Sequence, residues 1–170
     1  MTTRKENNWV DNLAARLVET GIATTETIKG CSEEELLDIE KFYSLKLPEA
    51  YKDYMRKFGK ASGDFLGECG IYYPNILKNR RRATTLLNNN NTDYKLKCSD
   101  FVFITRYGYQ FYFFDTANKN PNPPVFRYTE NRDQPMLLAD SFEAAITMAA
   151  DEYFELAKNP LLNVDSKFEN

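Results

Sequence analysis

The chain has 170 residues and is 42% hydrophobic, which supplies enough apolar material for one domain with a single core. Its 22 basic and 25 acidic residues leave a net charge of −3 and an isoelectric point near 5.2. No global positive field therefore draws in nucleic acid or an anionic membrane, and the absence of histidine excludes His-dependent triads, zinc deaminases and H-E-x-x-H hydrolases.

The opening MTTRKENNWV lacks the basic-then-apolar order of a secretory leader, so export is not expected. From Asn8 to Thr20, Trp9, Leu13 and Leu17 recur one turn apart, predicting an amphipathic helix with Asn8 as cap and Gly21 as stop. A polar link through Thr24, Thr25 and Thr27 leads to Gly30 and Cys31. Ser32 and Glu35 then form a capping box ahead of a helix over about 33–44. That helix aligns Leu36, Ile39 and Tyr43, with Glu40 on or beside the same stripe.

Pro48 suits the first position of a third helix, in which Tyr51, Tyr54, Met55 and Phe58 form the apolar face and Gly59 the stop. Gly63, Gly67 and Gly70 punctuate the next stretch, where a loop and one strand near Gly70–Tyr73 are expected. Asn75 is placed as cap of a short helix carrying Ile76, Leu77, Ala83 and Leu87, with Lys78, Arg80, Arg81 and Arg82 mostly turned to solvent. The run Asn88 to Asn91 breaks it.

FVFIT and QFYFF, joined through Arg106 to Tyr109 with Gly108 at the bend, predict a β-hairpin. Strict alternation sends Phe101 and Phe103 to one face and Val102 and Ile104 to the other. Pro121, Pro123 and Pro124 precede a third antiparallel strand, VFRY, and Pro135–Leu138 suggests a short fourth. A last helix is expected with Asp140 as cap and Phe142, Ile146, Ala149, Tyr153 and Leu156 on its apolar side. Asn159 and Pro160 stop it, and no structure is expected of the polar tail.

Cys31, Cys69 and Cys98 are odd in number and lack C-x-x-C spacing, as expected of free thiols in a reducing, cytoplasmic compartment. The aromatic stretch Phe101 to Phe114 is interrupted by Arg106, Gly108 and Gln110, and no apolar run approaches the roughly 20 residues of a bilayer-spanning helix.

Four features could carry function. Glu40 among apolar neighbours is either an acid with a raised pKa or a structural anchor that accepts hydrogen bonds near the 44–48 turn, and the buried-polar rule favours the anchor. The hairpin is apolar on both faces, so its second face is either covered or offered to a partner. The cluster Lys78, Arg80, Arg81 and Arg82 is either a solvated helix face or an anion site. The acids Glu33, Glu34, Glu35, Asp38, Glu49, Asp64 and Glu68 suit a basic partner, although helix-start preference explains the first few. RYGYQFYFF does not fit the aromatic sheet motif of RNA-recognition domains, because its spacing differs and the helices precede the sheet. There is no phosphate-cradling glycine loop, no G-x-S-x-G and no clustered ligand set, so no catalytic site, metal or cofactor is expected.

GCSEEELLDIEKFYSLKLPEAYKDYMRKFG resembles the opening signature of the SUKH superfamily: an acidic helix with a late Glu, then Leu-Pro, then a Tyr-containing helix ending at glycine. Glu40, Leu47, Pro48, Tyr51 and Gly59 occupy those places, with Phe58-Gly59 where the family usually has Asn-Gly. FVFITRYGYQFYFFDTANKNPNPPVFRY is similar to the family's hairpin, Asp115 and Pro-Val strand, and LADSFEAAI to its closing helix. The resemblance covers roughly 28–157, with 1–27 read as an N-terminal helix and link packed on the domain and 158–170 as a tail.

It implies an α+β fold, an antiparallel sheet of about four to six strands with helices packed around it. It further implies protein binding: an immunity protein that neutralises a cognate bacterial toxin, in many cases a nuclease, or alternatively a non-catalytic regulatory or scaffold module like the fungal cell-wall-synthesis regulators. Exposed aromatics and charge nominate Asp64, Glu68, Tyr72, Tyr73, Arg106, Tyr107, Tyr109 and Tyr112 as partner-binding residues.

Overall fold

Apolar side chains at three- and four-residue spacing build α1 (Trp9–Glu19), whose buried stripe Val10, Leu13, Ala14 and Leu17 turns it onto the rest of the chain. The computed structural model describes residues 8–159, so the tail from 160 onward lies outside the described residues, as do the first seven. Asn8 holds the cap position of α1 without a side-chain capping bond, and left-handed Gly21 (φ +74°) follows the helix end.

In α2 (Glu33–Tyr43) the capping box is present, with Ser32 Oγ accepting from the Glu35 N–H at 3.2 Å and Glu35 Oε2 from the Ser32 N–H at 2.9 Å. The third helix, α3 (Glu49–Phe58), starts one residue later than expected. Pro48 is its cap, extended at ψ 147°, and the fixed φ of proline suits either place.

Two short strands escaped the sequence reading: β1 (Ile28–Lys29) pairs antiparallel with β2 (Ala61–Ser62). The strand expected at Gly70–Tyr73 does not form, because left-handed Gly70 (φ +61°) turns the chain where a strand needs it extended. Asn75 is likewise not a helix cap. It opens a 3-10 turn, Asn75–Lys78, after which α4 (Asn79–Asn89) begins. Arg80 also departs from expectation, reaching back to donate to the carbonyls of Asp100 (2.8 Å) and Lys97 (2.9 Å) and so tying α4 to the start of the sheet.

The main sheet is an antiparallel meander, β3 (Asp100–Arg106), β4 (Gln110–Asp115), β5 (Val125–Thr129) and β6 (Met136–Ala139), in sequential order. The closing helix, α5 (Phe142–Lys158), is capped by Ser141 and not by Asp140. Ser141 is the extended residue, and its Oγ accepts from the Ala144 N–H at 3.1 Å.

Helices cover both faces of the sheet. On one side Tyr51 and Phe142, from α3 and α5, meet the rings of Phe101, Phe103 and Phe114 at centroid distances of 5.1–6.3 Å. On the other, Ala83, Leu86 and Leu87 of α4 pack on Val102, Phe111, Phe113 and Tyr128. A bulge between Val102 and Ile104 breaks the strict alternation, so Ile104 joins Phe101 and Phe103 on the first face and does not share the second with Val102. The result is an α+β architecture with a two-stranded and a four-stranded antiparallel sheet. Among the described residues no helix is long and apolar enough to cross a membrane.

Candidate partner-binding site

The β3–β4 turn is tight because Tyr107 (φ +49°) and Gly108 (φ +77°) are both left-handed and the Tyr109 N–H donates to the Arg106 carbonyl at 3.2 Å. A positive φ at tyrosine is uncommon and is held here by contacts on either side. The Tyr107 hydroxyl donates to Glu68 Oε2 at 2.6 Å, and its ring stacks on Tyr109 at 6.1 Å and 15°. Both rings remain open to solvent, at 63% and 39% exposure. The Glu68 carboxylate beside it raises the Tyr107 hydroxyl pKa, so the phenol stays a neutral donor at physiological pH.

The loop that presents Glu68 is tied to the hairpin, since the Thr105 N–H donates to the Cys69 carbonyl at 3.0 Å. Behind it Asn79, fully buried at the start of α4, donates to the Gly70 carbonyl at 2.9 Å and accepts from Thr105 Oγ1 at 3.2 Å. A Cβ on Gly70 would lie 2.9 Å from that hydroxyl, so only glycine fits.

Tyr107 and Glu68 form the wall between two clefts. One, of ≈ 520 Å³, includes Tyr72, Arg82, Thr105 and Gln110. The other, of ≈ 690 Å³, includes Asp64, Arg106, Tyr153 and Leu156. Arg106 places its guanidinium 5.8 Å from the Tyr107 ring centre and keeps a buried Nε without a hydrogen-bond acceptor. Of the nominated residues, Asp64, Glu68, Tyr72, Arg106, Tyr107 and Tyr109 thus gather around one ridge.

Tyr72 is partly committed to the fold, its hydroxyl lying 2.6 Å from Ser62 Oγ and accepting from the Ser62 N–H at 3.0 Å. Tyr112 lies on the α5 side of the sheet beside Arg106 in a small separate cavity. Tyr73 lines neither cleft. The sequence reading missed Asn79, Gln110 and Tyr153, none of which carries a local signal; Tyr153 is tied to the loop by its hydroxyl oxygen, which accepts from the Leu66 N–H at 3.2 Å.

Elsewhere, Glu40 accepts from the Leu47 N–H and from Lys46 Nζ, both at 2.9 Å. Burial pushes its pKa up, but these two donors outweigh burial and hold the carboxyl below its usual value, opposite to the rise expected of an unpartnered acid. Tyr43 spends its hydroxyl on the Ile76 carbonyl at 2.8 Å. Glu33 and Glu49 pair with Arg56, and Glu35 with Lys60, so these acids are engaged within the chain. Among the described residues no cluster of three or more Cys, Asp or Glu is placed to hold a metal ion.

The order of capped acidic helix, Glu40 anchor, Leu47-Pro48, α3 and sheet meander is also what comparison with known families returns: the SMI1 / KNR4 family (SUKH-1) matches residues 30–148. The chain belongs to this family. The match spans α2 through the first turns of α5 and leaves α1 outside it, although Val10, Leu13 and Leu17 are buried in the same core. Comparison with curated proteins gave no match.

Proposed function

We propose that this SUKH protein is an immunity protein that binds a cognate toxin domain, in the producing cell's cytoplasm, and blocks it without catalysis. The observation that carries the reading is the exposed Tyr107–Tyr109 stack, fixed by Glu68 between two clefts. Rigid tyrosines offer large contact area at little conformational cost, which is how protein-binding surfaces are built. An acidic chain with Glu68 and Asp64 beside that stack suits a basic, nuclease-like partner.

Co-expression with the toxin encoded beside its gene should restore growth, and the two chains should co-purify. Replacing Tyr107 and Tyr109 together by alanine should weaken the complex by roughly 30-fold or more, the loss of one central hot spot, with the chain still folded by circular dichroism. A double variant that binds as well as the parent would remove this face from the interface. If no adjacent toxin is neutralised, the immunity reading falls and a non-catalytic regulatory or scaffold module takes its place.

A further inference from the structure

The end of the β3–β4 hairpin opposite Tyr107 carries two carboxylates that the tyrosine ridge does not use. Asp100 and Asp115 face each other in the antiparallel register, and both line a cleft of ≈ 520 Å³ walled by Tyr94, Phe113 and Phe126. Like charges directly opposed on neighbouring strands repel, so the pair calls for a cation. Lys97 supplies one from within the chain: its ammonium pairs with Asp115 and stands 4.0 Å from Asp100 Oδ1.

That arrangement leaves a polar atom unsatisfied. Asp100 is 1% exposed, and its Oδ2 accepts from the Lys97 N–H at 2.8 Å, whereas its buried Oδ1 has no hydrogen-bond donor. Buried carboxylate oxygens normally find one. Arg80 does not provide it, because its guanidinium donates to the backbone carbonyls of Asp100 and Lys97. The Lys97 side chain is itself 62% exposed, a tethered cation at the mouth of the cleft. The walls are aromatic side chains, with Phe113 and Phe126 stacked at 5.6 Å and Tyr94 at 6.3 Å from Phe113. Burial, then the fields of Asp100 and Asp115, push the Tyr94 hydroxyl up to about 12.

We propose that this cleft takes the guanidinium of an arginine on a partner protein, which displaces the Lys97 ammonium and bridges Asp100 Oδ1 and Asp115. A planar fork of donors serves two carboxylates at once and stacks on aromatic faces, which a single ammonium does not. The volume exceeds that of one side chain, so residues flanking the arginine enter with it. The proposal rests on the reading of this chain as a protein-binding module and adds the chemistry its partner must present.

The test is titration of the full chain with N-acetyl-arginine amide, followed through the backbone amide signals of Phe113, Asp115 and Phe126. The lysine and citrulline analogues serve as controls. Saturable shifts from arginine are expected, weaker ones from lysine and none from uncharged citrulline. Asp115→Asn, whose amide oxygen still accepts the Ala117 N–H, should weaken arginine binding by about tenfold or more, and Lys97→Met should strengthen it severalfold. No saturable shift in either the parent or Lys97→Met, or equal shifts from citrulline, overturns the proposal. A chain that binds arginine this way but neutralises no toxin keeps the cleft and loses the immunity reading. A chain that neutralises a toxin without binding arginine does the reverse.

Discussion

Glu40 shows how a buried carboxylate is satisfied by donors from the next turn, as the anchor reading of the sequence expects. It is 8% exposed, and its two partners are six and seven residues further on. Lys46 is 82% exposed and screened by solvent, so the Leu47 N–H bond carries most of the anchoring. Glu40→Ala should cost about 1–3 kcal/mol, because it strands that amide. Glu40→Gln retains an acceptor and should cost about 1 kcal/mol at neutral pH. The folded pKa is depressed, so the ionised carboxylate stabilises fully above the unfolded value, near ~4.3, and loses that effect as pH falls through the folded value. Urea midpoints of parent and Glu40→Gln should therefore converge in acid. A gap that persists undiminished below that range would mean the charge plays no part.

Among the elements, those with a long apolar stripe or a local cap were legible in sequence, and the rest depended on partners far along the chain. The α2 capping box reads correctly because both halves lie within three residues. At α5 two candidate caps are adjacent, and backbone conformation decides between them in favour of Ser141. Ser141→Ala should cost about 1 kcal/mol and Asp140→Ala less than about 0.5 kcal/mol, compared by thermal melting; equal losses would reject the assignment. The strands β1 and β2 are two residues each, too short to show a period of two. The bulge was hidden because residues 101–104 are all apolar, so a one-residue slip leaves the pattern looking unchanged. The candidate site was legible as residue types, exposed tyrosines and nearby acids. Its geometry was not, since Tyr107 and Glu68 meet across 39 positions and Asp100 meets Asp115 only through strand register.

At the scale of the whole molecule, the sheet is a shared wall between two apolar layers, and that makes their stabilities inseparable. The lone tryptophan, Trp9, lies in the first layer, stacked on Tyr54 at 6.5 Å and edge-on to Phe142 at 6.3 Å. Leu87 lies in the second, 2% exposed against the opposite face of β3 and β4. Neighbouring residues along one strand, such as Val102 and Phe103, serve different layers, so neither layer can lose its strands without exposing the other. Leu87→Ala should cost about 2–4 kcal/mol through the cavity it leaves. In a domain of this size that lowers the melting temperature by roughly 5–15 °C. Trp9 fluorescence should fall in step with far-UV circular dichroism, although the substitution is on the far side of the sheet. A Trp9 transition that keeps its parental midpoint while the dichroism shifts would show the layers melting separately, and the single cooperative unit described here would be wrong.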